Sequence, residues 1–100
     1  MNHAAVFLAP ADSQIAFYRE DPLAVTEWLI RGDQYRKIGV IATELTGEAA
    51  AEDLFDLSNN PSRQEERDTV WGANRSLSVG DVVHVENESW LCLPTGWQKL

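Results

Sequence analysis

The stretch from Glu48 to Asn59 constrains the fold most. Ala50, Ala51, Leu54, Leu57 and Ser58 fall on one face of a 3.6-residue turn, with acids on the other. Asn59, Asn60 and Pro61 then end the pattern, because asparagine tolerates the left-handed conformation and proline cannot continue the backbone ladder. The pattern predicts a helix over about 47–59, capped by Thr46 or Thr43. An amphipathic helix of this length gains most of its stability by packing on an apolar surface, so the rest of the chain must supply one. Ser62-Arg63-Gln64-Glu65 has capping-box spacing and predicts a short second helical turn running through Arg67.

That surface reads as a sheet. Residues 82–85, 90–93 and 97–100 are short, β-prone runs separated by the turns 86–89 and 94–96, a C-terminal β-meander with Val83, Val85, Leu91 and Leu93 facing the core. Residues 5–8 read as a buried first strand, residues 15–18 as a second strand after a turn at Asp12 and Ser13, and residues 38–42 as a central strand. For residues 22–31, Asp21-Pro22 resembles an N-cap followed by proline at the first helical position. Val25, Trp28 and Leu29 then share a helical face and Gly32 ends the helix. The competing reading is a hairpin joining residues 25–30 to 35–41. The expected class is α+β: one domain over residues 1–100, with a small, mostly antiparallel sheet and one main helix. One hundred residues, 44% of them hydrophobic, suffice for a single core, and neither a repeat nor a linker divides the chain.

Charge narrows the function classes. Sixteen acids against eight bases give a net charge of −8, and residues 41–73 alone carry eight acids and two bases. Such a surface repels nucleic acid and anionic membranes at long range. No apolar run reaches the 18 or so residues that span a bilayer. Ala4-Ala5-Val6-Phe7-Leu8-Ala9 lacks the basic flank of a signal peptide and reads better as a strand. With Cys92 the one cysteine, no internal disulfide forms, and a reducing, cytoplasmic setting is expected.

Arg75-Ser76-Leu77-Ser78-Val79-Gly80-Asp81-Val82-Val83, then Trp90-Leu91-Cys92 and Gly96-Trp97-Gln98-Lys99-Leu100, preceded by Leu54-Phe55-Asp56-Leu57-Ser58-Asn59-Asn60, carry a resemblance. This half of the chain resembles small proteins of bacteriophages, plasmids and integrative elements, and its ending is similar to the YodL-like domains of conjugative-element proteins. The resemblance covers about residues 35–100. It implies a mobile genetic element as the setting and implies no reaction.

The chemistry-bearing residues are few. Glu48, Glu52 and Asp56 recur at i, i+4 and i+8, with Asp53 alongside, and Glu65, Glu66 and Asp68 follow. The plain reading is a solvated helix face; the functional one is a recognition surface for a basic partner. His84 and Cys92 lie on neighbouring strands and, facing one another, would make a nucleophile pair; the plain reading is two core residues. Together with His3 they fall short of the four ligands of a structural zinc site, so no metal is expected. Neither a glycine-rich phosphate loop nor a catalytic constellation is present in the sequence, so the chain reads as a non-enzyme without a cofactor. Of four tryptophans, Trp28 and Trp90 read as core; Trp71 and Trp97 read as core anchors or as aromatic contacts for a partner.

Three functions follow as expectations. The first is a non-enzymatic, accessory protein-interaction protein of a mobile element. The second is an inhibitor of a host defence or restriction nuclease whose carboxylates imitate phosphates. The third is a small β nucleic-acid-binding domain using Arg75, Lys99 and Trp97.

Overall fold

A computed structural model describes residues 2–100. The elements run β1 (Asn2–Leu8), α1 (Gln14–Arg19), α2 (Pro22–Arg31), β2 (Arg36–Thr43), α3 (Gly47–Asn59), α4 (Gln64–Val70), β3 (Val82–Val85), β4 (Glu88–Cys92) and β5 (Trp97–Lys99). All strand pairs are antiparallel, in the order β2-β1-β3-β4-β5. The class is therefore α+β, and among the described residues no helix is long and apolar enough to cross a membrane.

Strand alternation sends side chains to two faces, and helices cover both. On one face Ala4, Val6, Leu8, Val83 and Val85 pack against Ala50, Ala51, Leu54 and Leu57 of α3. On the other, Val82 and Leu91 pack with Phe17 of α1 and with Val25 and Leu29 of α2. Val6 opposite Val83 and Phe7 opposite Val82 tie the two faces together at the centre of the sheet. The C-terminal meander forms as expected, with Val83, Val85 and Leu91 buried and Leu93 half-buried.

Four expectations change. Residues 15–18 are helix, not strand: a short helical turn at Ala11–Ser13 runs straight into α1, which buries Phe17 and leaves Ile15 and Tyr18 exposed. Four apolar residues are too few to separate the two periods. Residues 22–31 are helix, with Asp21 accepting from the Leu23 amide, but Trp28 is 65% exposed. The buried arc runs through Val25, Leu29 and Thr26, which places Trp28 beyond its rim. Residues 38–42 lie in β2, which is an edge strand rather than a central one. Finally, Ser62 caps nothing. Asn60 is extended, not left-handed, and its side chain accepts from the Ser62 amide, so it starts the next turn.

Candidate partner-binding face

Gly47–Asn59 is helical because its apolar face meets the sheet, and this turns its acids outward. Pro61 breaks the chain, and α4 returns beside α3 with acids of its own. Arg63, at the junction, holds both sets together. Its guanidinium meets Asp53 at 2.9 Å, Asp56 at 3.0 Å and Glu66 at 2.9 Å. The hydrogen bonds that Arg63 donates to Glu66, then to Asp53 and Asp56, raise its pKa above the ordinary value, and Arg63 in turn lowers that of Glu66. An acid near a helix C-terminus faces the negative end of the dipole, and Arg63 offsets that at Asp56.

The remaining acids sit around this knot. Glu48 and Glu65 are exposed and make no ion pair among the described residues. Asp68 accepts from Gln64 at 2.7 Å, and Glu52 accepts from the Trp97 indole N–H at 2.8 Å. Arg67, the other base of the segment, turns inward to the carbonyls of Ser58, Gly72 and Asn74, at 3.1, 3.2 and 2.8 Å. It staples α4 and the following loop to the C-terminus of α3 and neutralises none of the exposed carboxylates.

The tryptophans separate cleanly. Trp71 is 3% exposed and donates to the Arg75 carbonyl at 2.9 Å, so it anchors the loop after α4 and presents nothing to a partner. Trp97 is half-buried, edge-on to Phe55 with ring centroids 6.4 Å apart, and borders the acidic face.

His84 and Cys92 do not face one another. Val83 and Trp90 are opposite residues on the α3 face, so His84 points to the other face and Cys92 to the α3 side. His84 Nδ1 instead meets the Ser89 hydroxyl at 2.8 Å, and burial pushes the Cys92 thiol up to about 12. Among the described residues no three His, Cys, Asp or Glu side chains cluster as metal ligands.

The residue that sequence reasoning missed is Asp81. Fully buried, it accepts from both Arg75 guanidinium nitrogens at 2.7 and 2.8 Å and from the amides of Ala9 and Ser78, each at 2.8 Å. Arg75 also donates to the Ala9 carbonyl at 2.7 Å. The acceptor capacity of a carboxylate is thus filled, which is what allows it to be buried. Lys99 is likewise paired, with Glu88 at 2.6 Å. The local signal, an acid between Gly80 and two valines, resembles any turn, and its partner lies six positions upstream.

No family model matches the chain, and no curated protein or solved structure is significantly similar to it.

Proposed function

We propose that this chain is a non-enzymatic accessory protein of a mobile genetic element that binds a basic protein partner through the α3–α4 face. The supporting observation is the Arg63 knot. It fixes carboxylates from two helices in one place, so the face is ordered before a partner arrives, and ordering costs less on binding. Glu48, Glu52, Glu65 and Asp68 extend the surface around it, and Trp97 supplies an aromatic border. The mobile-element setting rests on the resemblance of residues 35–100, and a cytoplasmic location on the reduced cysteine. Mimicry of phosphates toward a nuclease is a special case of the same face. A nucleic-acid platform built on Arg75, Lys99 and Trp97 is less well supported, because each of the three is already engaged by a carboxylate.

The test is capture of partners from host lysate with the wild-type chain and with Glu48→Lys/Glu65→Lys. Both positions are exposed, so the variant is expected to fold normally and to lose a partner that the wild type retains at low salt. Equal retention by both would remove the acidic face from the reading.

A further inference from the structure

We propose that the groove between α1 and α2 is a binding site for an arginine side chain presented by a peptide partner. The turn at Asp21-Pro22 folds α2 back beside α1, and Phe17, Val25 and Leu29 are buried where the pair meets the sheet. Between the two helices a cavity of about 600 Å³ stays open, a volume within the range of ligand sites. It stays open because Ala16 and Ala24 bring no more than a methyl group each to its lining. Buried Val25 and Leu29 supply an apolar floor, exposed Trp28 a wall, and exposed Asp12 and Glu20 a charged rim. Positions 12, 16, 20, 24 and 28, one turn apart, all line it.

Two observations select the occupant. Trp28 is the one exposed tryptophan among the described residues, and it stands at a cavity, unlike Ile15 and Tyr18, which are exposed but line no part of it. Tryptophan in such a position is a recurrent anchor of recognition. Asp12 and Glu20 make no ion pair among the described residues, and no lysine or arginine lines the cavity. Uncompensated negative charge therefore surrounds an apolar and aromatic interior. A cation on an apolar stem complements all three parts. The methylenes of arginine can lie along Val25 and Leu29 while its flat guanidinium stacks on the indole. The guanidinium N–H groups then point outward in the plane of the stack, free to donate to the two carboxylates. Nucleic acid and anionic lipid carry the wrong sign for this rim, and a second copy of the chain brings a further −8. The groove lies across the sheet from α3, so the site is separate from the acidic α3–α4 face.

The probe is a pentapeptide blocked at both ends, with one central arginine among glycine and serine, titrated into the full chain at low salt. Its control carries citrulline, which has the shape of arginine without the charge. Heteronuclear NMR reads the indole N–H of Trp28, identified by its loss in Trp28→Phe, and the amides of Ala16, Glu20 and Ala24. The expected result is a saturable shift of these signals, with affinity several-fold weaker for the citrulline peptide. Asp12→Asn/Glu20→Gln should lower the affinity for arginine to that for citrulline, and Trp28→Ala should weaken it several-fold, read from the amides. Ala24→Leu fills the groove from an exposed helical position and should abolish the shifts; the other variants decide the matter should it fail to fold. Glu48→Lys/Glu65→Lys should leave them unchanged, which separates this site from the acidic face. The absence of a saturable shift overturns the proposal, as does equal affinity for citrulline or for D12N/E20Q. So do shifts of the same signals with protein concentration alone, the mark of a second copy in the groove.

Discussion

Asp81 joins the end of β1, the loop at residues 75–80 and the start of β3, through two amides and the Arg75 guanidinium. Removing its charge strands an arginine that was positioned for it. Asp81→Asn is expected to lower stability by about 3 kcal/mol, the low end for a broken buried pair because Arg75 still reaches solvent; the urea midpoint checks this. Two further residues set the alkaline limit. Burial raises the Cys92 thiol from its ordinary 9.0 to about 12, and burial raises Tyr35, whose hydroxyl donates to the Gly80 carbonyl, from 10.0 to about 12. The unfolded chain releases these protons first. Their contribution is therefore complete below about pH 9 and is lost as pH rises toward 12. Urea midpoints should fall between pH 8.5 and 10.5, and Cys92→Ala should flatten the first part of that fall. An unchanged slope in C92A would assign the loss elsewhere. None of this was legible in the sequence, since it depends on which distant groups burial brings together.

At the scale of elements, legibility followed the number of turns or strand positions that a pattern covers. The α3 helix, with three turns of apolar residues, was readable to within a residue; the meander was readable from its turns, although β4 begins at Glu88, two residues before the expected start. The α1 helix was not, because its single buried residue, Phe17, leaves no period to detect. β2 was legible as a strand but misplaced in the sheet. Its apolar residues are divided between a covered face, where Ile38 and Ile41 lie, and an open one, where Val40 lies. Burial on both faces, which marks a central strand, is a property of β3 instead. The β3–β4 hairpin carries a prediction. Its two-residue turn holds Glu86 and Asn87 at φ +50° and +64°, and glutamate is poorly suited to a left-handed position. Glu86→Asn is expected to raise stability by up to about 1 kcal/mol, seen as a higher thermal midpoint. A lower midpoint would mean that the turn is not held left-handed.

For the whole molecule, the sheet with helices on both faces leaves two contrasting surfaces, an acidic helical one and a basic-ended strand edge. The acids of α3 and α4 were legible as candidates, but Arg63 entered the sequence reading only as part of a capping-box spacing. Its role as their organiser needs the reversal of the chain at Pro61, which brings Asp53 and Glu66 to one guanidinium. The tryptophans were legible in part: Trp71 is a core anchor, one of its two readings, whereas Trp28, read as core, went to the surface. The central claim is that the α3–α4 face binds a basic partner through exposed charge. Such charges are screened beyond roughly 8 Å at physiological ionic strength, so binding through them must weaken with salt. The most direct measurement is the affinity of the captured partner for the wild-type chain and for E48K/E65K across a series of salt concentrations. The expected result is a steep loss of wild-type affinity with salt and a weaker, flatter dependence for the variant. Affinities that coincide at every salt concentration would contradict it.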